Sequence, residues 1–454
     1  MKVNSGNQGE SKLKWWQLSM LGIASIIGTG FFLGSSIAIS MAGPAVMLSF
    51  VLAAIGTYVV YEALAKMTVA DPQKGSFRTY AKNAYGRWAG FTSGWVYWAS
   101  EMLIMGSQMT ALAIFSRFWL PDVPLWLFAS GYAILGIIVI ITGTKGFDRV
   151  EGLFAVLKIA AIVMFIILAV AALFGLLGEG NGETNVPKTL SGFFPGGVTG
   201  LWSSVIYGFY AFAGIEIMGL LAIRLKDKKE APKSGKIMLF GLTLIYVVSI
   251  GLALTMVSWQ AMTTDKSPFV LALNQYNLPY VPHVFNAVLI IAGFSTMVAA
   301  LFAVIRILVT LAEDRDAPAF LSKKVKGRVA LPAIGVTTLG AGISVLLALL
   351  MPGKIYEYLT TAAGLMLLYN WVFILGSFGR LLSLSTGEKI KRILGMVLIL
   401  IAVGGTLVHD TSRPGLYVSL IFLVVIALVT LIMSRMWKKT EGEKPKSTVF
   451  DRLE

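Results

Sequence analysis

Long apolar runs, each followed by a short polar stretch, recur along nearly the whole chain. An α-helix rises about 1.5 Å per residue, so about 20 apolar residues cross the roughly 30 Å hydrocarbon layer of a bilayer. About twelve windows of that length can be marked, near 17–40, 46–67, 88–116, 124–143, 150–177, 198–223, 236–259, 283–311, 332–351, 357–379, 391–408 and 414–436. The pattern predicts an all-α integral membrane protein of about 12 transmembrane helices. The first run begins only after the polar segment Met1 to Lys14, and no small-residue cleavage site follows it. No signal peptide is therefore expected.

Composition narrows the class. Of 454 residues, 56% are hydrophobic and only 13% charged, against about 25% charged in soluble domains. A soluble enzyme and a disordered chain are both excluded. With no cysteine in the chain, a disulfide framework, thiolate metal site, iron-sulfur cluster and cysteine nucleophile are excluded as well. The two histidines, His283 and His409, are far apart in sequence, and each falls beside the outer end of an expected span. They read as surface residues rather than ligands, and no metal or cofactor is expected.

The net charge of +15 fits basic loops facing the cytoplasm rather than nucleic acid. Alternate loops put about 32 of the 38 Lys and Arg with the termini and about 5 opposite (Arg117, Lys188, Lys266, Lys354 and Arg413), leaving Lys158 inside a span. Because lysine and arginine in short loops set orientation, both termini and the loops Arg224 to Lys236 and Arg315 to Arg328 are expected on the cytoplasmic side of the cell membrane. The expected organisation is a cytoplasmic segment 1–16, a multi-pass transmembrane domain 17–437 and a cytoplasmic tail 438–454.

Spans 1 and 6 each carry a helix-weakening stretch near the middle: Ile26-Ile27-Gly28-Thr29-Gly30 and Ala211-Phe212-Ala213-Gly214-Ile215-Glu216. Glycine costs about 1 kcal/mol against alanine in a helix, so paired glycines favour local unwinding. Backbone groups freed in a bilayer must still be satisfied, so irregular backbone at mid-membrane depth persists where it lines a cavity or holds a ligand. The half-helix that starts after a break turns partly positive amides toward the centre, and the half that ends there presents carbonyls. A carboxylate suits the first and an ammonium the second. Small residues also let membrane helices pack closely, so glycine alone does not separate a site from a packing face. Glu216 tilts the choice, because a carboxylate inside a span faces a cavity or a partner rather than lipid. Two such breaks five spans apart match the pattern of inverted-repeat secondary transporters.

At these residues the chain resembles the amino acid permeases of the amino acid-polyamine-organocation (APC) superfamily, over nearly its whole length. Ile26 to Gly34 looks like the first-span signature, Ala42-Gly43-Pro44 like the first turn, and Tyr210 to Glu216 like the sixth-span motif. Phe118 to Pro124, Leu311 to Pro318 and Arg328 to Pro332 are similar to recurring loop segments. The resemblance implies the leucine-transporter-like fold: a five-plus-five inverted repeat with broken helices 1 and 6. The first repeat would span about 17–177 and the second about 198–379, with two further helices at about 391–436. It also implies a substrate carboxylate on amides matching Thr29 and Gly30, and an amine on carbonyls matching Ile26, Tyr210 and Ala213. Tyr210 would gate the substrate, its alternative being an aromatic packed into the bundle. Ala24, Ala211, Ala213 and Gly214 leave room beside the breaks. The expected substrate-binding set is Ile26, Gly28, Thr29, Gly30, Tyr210, Ala211, Ala213 and Gly214.

Three charged residues form the expected coupling set: Lys158, Glu101 and Glu216. A lysine within about two turns of an interface can snorkel to water. The resemblance implies instead that the Lys158 ammonium replaces the sodium ion that coupled relatives hold between spans 1 and 8; the polar Asn-Ser common there is matched by Val298 and Ala299. The chain departs from the family in span 3. Where many relatives carry an acid, an apolar residue, Thr and Ala, it reads Gln108-Met109-Thr110-Ala111, and its acid stands seven residues earlier at Glu101. Glu101 could line the substrate vestibule, pair with a basic group or remain neutral. Glu62 reads as interfacial, and Phe212 as core packing.

A membrane enzyme would need a nucleophile, metal cluster or acid-base pair inside the bundle, and a channel would need rings or filter loops; the sequence offers neither. The expected function is a secondary active amino acid transporter working by alternating access, by sodium-independent proton symport of a neutral or aliphatic substrate. Exchange, uniport, a cationic substrate and a transporter-like sensor stay open. The expected partners are an amino acid, the proton and the lipid bilayer; the sequence leaves the oligomeric state open.

Overall fold

The computed structural model describes residues 13–73, 75–142, 144–177, 185–276, 278–323 and 330–442. Residues 1–12 of the expected segment 1–16, the motif residues Arg328 and Val329, and residues 443–454 of the expected tail 438–454 lie outside the described residues.

Helices α1 (Trp15–Ile26), α2 (Thr29–Phe32) and α3 (Gly34–Ala42) follow one another along the first expected span, and α4 (Val46–Ala70) returns. The short α5 (Ser76–Tyr85) leads into α6 (Arg87–Ser116), α7 (Leu125–Thr142) and α8 (Thr144–Leu173). The chain continues through α9 (Leu190–Phe193), α10 (Gly197–Ala211), α11 (Ile215–Ala222), α12 (Ala231–Met256) and α13 (Pro268–Leu273). Then come α14 (Val281–Glu313), α15 (Leu331–Leu350), α16 (Ile355–Leu381), α17 (Thr386–Val408) and α18 (Arg413–Gly442). Apart from a parallel bridge between Leu13 and Leu225, the described elements are helical.

Among the described residues, 10 stretches are long and apolar enough to cross a membrane. One of them, Thr29–Ala70, covers the second half of the expected first span and all of the second. The expected third span, α6, is 30 residues long but is not among the 10. Its serines, threonines, Glu101 and Gln108 lower its hydropathy, and nearly all of them are buried inside the protein. Lipid-facing helices read differently: Leu400 on α17 and Ile421, Leu428 and Leu431 on α18 leave apolar side chains exposed.

Two large apolar cores, with a small third at the end of α14, hold the helices together. The first joins α1 to α4 with α10, α11 and α12; the second joins α6, α7, α14, α15 and α16. Tyr210 stands on α10 among residues of the first core yet packs with the second, so its ring crosses the seam. Phe212 stays in the first core against Tyr246, with ring centroids 5.3 Å apart. At the loop after α14, Asp316 binds Arg78 of α5 and Arg87 of α6. Glu62 pairs with Lys66 and Lys391 across α4 and α17.

Candidate functional site

Both expected breaks are present. Helix α1 stops at Ile26, Ile27 and Gly28 are extended, and α2 restarts at Thr29. Helix α10 stops at Ala211, and α11 restarts at Ile215 after Gly214, whose φ of +100° lies in the left-handed region that glycine enters without strain. A Cβ there would also stand 3.2 Å from the Ser25 carbonyl oxygen. The two breaks are thus packed backbone to backbone.

Between them and α6 lies an inner cavity of about 40 Å³, lined by Ile26, Gly28, Thr29, Gly30, Tyr210, Ala213 and Gly214. Seven of the eight expected substrate-binding residues are therefore brought together. Ala211 is not among the lining residues; it is buried, and its carbonyl accepts a hydrogen bond from the Tyr246 hydroxyl at 3.3 Å. A cavity of this size holds a few waters at most, since each needs roughly 10–15 Å³. An amino acid fits only if a wall moves.

The wall over the first break is Tyr210. A Cβ on Gly30 would stand 2.9 Å from Tyr210 Cδ1, so only glycine lets the ring lie this close. The Tyr210 hydroxyl donates to Ser107 Oγ at 3.0 Å, and Ser107 shares a 2.8 Å bond with Thr360. Beside this layer the Tyr356 hydroxyl donates to the Thr29 carbonyl at 3.0 Å. Tyr356 also lines a larger cavity of about 310 Å³. A hydrogen-bonded layer of two tyrosines, drawn from α10 and α16, separates the two spaces.

The three charged residues have different surroundings. Lys158, 2% exposed, donates from Nζ to the Ala24 carbonyl at 2.9 Å, where its positive charge meets the carbonyl end of α1. Glu101 lines the inner cavity, and the Tyr97 hydroxyl, one turn earlier on α6, is its polar neighbour. Glu216 does not line the cavity. Buried at the start of α11, it accepts the Gly214 amide at 3.2 Å and the Trp371 indole N–H of α16. It caps the restarted helix and ties it to a neighbour.

Sequence reasoning missed the wall opposite the breaks. Ile104 and Gln108 of α6 line the cavity with Glu101, as do Thr296, Ala299 and Ala300 of α14. The spacing of Glu101, Ile104 and Gln108 (i, i+3, i+7) marks one helical face and was the available signal. Thr29 Oγ1 and Gln108 Oε1 are buried without a hydrogen-bond partner. His283 is exposed and accepts the Trp119 indole N–H at 2.9 Å, so it belongs to a loop contact. Among the described residues no group of His, Cys, Asp and Glu could hold a metal ion.

Comparison with known proteins agrees with this geometry. The amino acid permease family profile matches residues 17–383. The chain is 52% identical over 446 residues to an uncharacterized transporter of Bacillus subtilis, YcgH, covering 98% of this chain and 99% of that one. It is 31% identical to the uncharacterized amino acid permease YvbW of the same organism over 79% of this chain and 80% of that one. It is 27% identical to the aromatic amino acid transport protein AroP of Escherichia coli over 97% of this chain and 98% of that one. A multi-pass helical membrane protein with this match over most of its length belongs to the amino acid permease family of the APC superfamily.

Proposed function

We propose that the chain is a secondary active amino acid transporter in which the breaks of spans 1 and 6 hold the substrate backbone and Tyr210 covers it. The observation that carries this reading is the meeting of both breaks on one cavity, with amides starting α2 and carbonyls ending α1 and α10. The α-carboxylate takes the amides near Gly28, Thr29 and Gly30; the α-ammonium takes carbonyls at Ile26, Tyr210 and Ala213. The inverted repeats run over about 17–177 and 198–379, and both termini face the cytoplasm, as the basic loops favour.

Transport is sodium-independent in this reading, because the Lys158 ammonium already neutralises the carbonyl end of α1. The coupling ion is the proton. Glu101 borders the substrate and stands with Glu216 within electrostatic reach of the Tyr97 hydroxyl, which gives a proton a short buried path. Buried ionisable groups of this kind mark proton routes. The substrate side chain lies among Ile104, Ile217, Ala299 and Ala300, which suits a neutral or aliphatic group. A second reading, a cationic substrate, is favoured by the single observation that Glu101 lines the same cavity.

The test is uptake into proteoliposomes of the full chain, with every common amino acid as competitor and imposed pH steps in sodium-free buffer. Transport of no amino acid would refute the function. Equal rates with and without the pH step would refute only the proton coupling, and a strict sodium requirement would refute the role of Lys158.

A further inference from the structure

We propose that the larger cavity is a second, outer amino acid site, which takes up the zwitterion before it passes the layer of Tyr210 and Tyr356; this rests on the transporter reading above. At about 310 Å³ it is several times the inner cavity and falls in the range of about 300–1,000 Å³ typical of small-molecule sites. Its wall carries both signs of charge. Arg117 is held in place by two hydrogen bonds from Nε and Nη2 to the Pro121 carbonyl, at 3.0 and 2.8 Å. Asp265 and the half-buried Glu357 supply the opposite sign. Phe115 and Phe118 add an apolar surface between them.

A wall of one sign would gather simple ions. A wall with a fixed guanidinium, carboxylates and an aromatic patch selects a small molecule bearing both charges and an apolar part, which is the chemistry of a free amino acid. Exposed charges in a loop are ordinarily just solvated, so a second observation matters. Asn286 is 2% exposed, lines the cavity, and donates from Nδ2 to the Phe115 carbonyl at 2.9 Å, which fixes its amide in the wall. A fixed, buried amide beside the charged rim gives a ligand carboxylate or ammonium a polar partner inside the cavity.

The floor connects this site to the first. Tyr356 lines the outer cavity and donates to the carbonyl of Thr29, whose residue lines the inner one. A molecule held outside therefore waits against the hydrogen bond that must yield for it to enter.

The test uses the absence of cysteine in the chain. A single Thr264→Cys variant places a lone thiol in the outer wall. The full-length protein in detergent is labelled with a charged methanethiosulfonate, with or without L-leucine, L-phenylalanine or L-lysine. The same labelling is repeated with Gly30→Val or Gly28→Ala added to block the inner site, both checked by thermal unfolding. Protection by an amino acid that persists in either blocked background supports the outer site. Protection lost in both, or seen in neither background nor the single variant, overturns it while uptake by the parent leaves the transporter reading intact. A parent that transports no amino acid overturns both. In proteoliposomes Glu357→Gln should raise KM by about two- to fivefold, as expected for a half-exposed charge, and more than it lowers kcat; a fall in kcat at constant KM would mark a structural role and overturn the assignment.

Discussion

Placing one methyl group at Gly30 tests the closed site most directly. An ideal Cβ there stands 2.9 Å from Tyr210 Cδ1, 3.0 Å from Cε1 and 3.2 Å from the Tyr210 carbonyl oxygen. The ring can swing aside. The carbonyl is less free, because it accepts the Ala213 amide at 3.0 Å and so forms part of the second break. Overpacking of this kind costs about 1–3 kcal/mol. If Tyr210 lies over Gly30 only while the site is closed, the penalty falls on that arrangement alone and shifts its population by about 5- to 150-fold. Folding, which needs no particular gate position, should change little.

The assay is uptake into proteoliposomes, with rates normalised to inserted protein and thermal unfolding measured in parallel. Gly30→Ala should raise KM or lower kcat by a factor in that range while unfolding temperature stays near that of the parent. Combining it with Tyr210→Ala removes the ring atoms, the nearest of those that crowd the methyl group, and leaves only the carbonyl, so the two effects should be markedly less than additive. Wild-type kinetics for Gly30→Ala, or strict additivity in the double variant, would refute the claim that the ring closes on the first break.

Four other outcomes are expected. Tyr210→Phe keeps the ring but loses the bond to Ser107, about 1 kcal/mol, and should speed substrate release about fivefold; Tyr210→Ala should do so more strongly, as measured by dilution of bound radiolabelled amino acid. Lys158→Ala removes a charged hydrogen bond to Ala24 of about 1.5–3 kcal/mol and should slow uptake about 10- to 150-fold, while parent uptake is equal in sodium and choline buffers. Glu101→Gln should abolish stimulation by an inward proton gradient while leaving counterflow of substrate measurable. Asp316→Asn leaves the buried Arg78 facing only Asp314, should destabilise by about 3 kcal/mol in thermal unfolding, and should leave substrate preference unchanged.

What the sequence makes legible follows from how each part is built. The breaks were readable because glycine weakens a helix, and Gly28 and Gly214 stand where the structure leaves it. Lys158 was readable because a lone charge in an apolar run has few stable surroundings. Glu216 shows the limit of that reasoning. Its burial was foreseen, but a capping role facing Gly214 and Trp371 depends on α16, more than 150 residues away, and nothing local signals it. Ala211 shows the same limit: one residue from Tyr210, it lies outside the cavity lining and its carbonyl meets Tyr246 of α12.

The inner cavity separates two kinds of recognition, and that separation explains why one was visible and the other was not. In the proposed binding mode the substrate backbone is met by amides and carbonyls, which every residue has, so the only sequence requirement is room for them to approach. Glycine provides it and leaves a mark. The rest of the cavity wall, which the proposal gives to the substrate side chain, is Glu101, Ile104 and Gln108 on α6 and Thr296, Ala299 and Ala300 on α14, whose convergence depends on how α6 packs against α14. Ordinary helical residues serve there, so no motif appears. On the proposed reading, the two breaks define the class of molecule carried, while the choice among amino acids rests on a face of α6 that could change without disturbing either break.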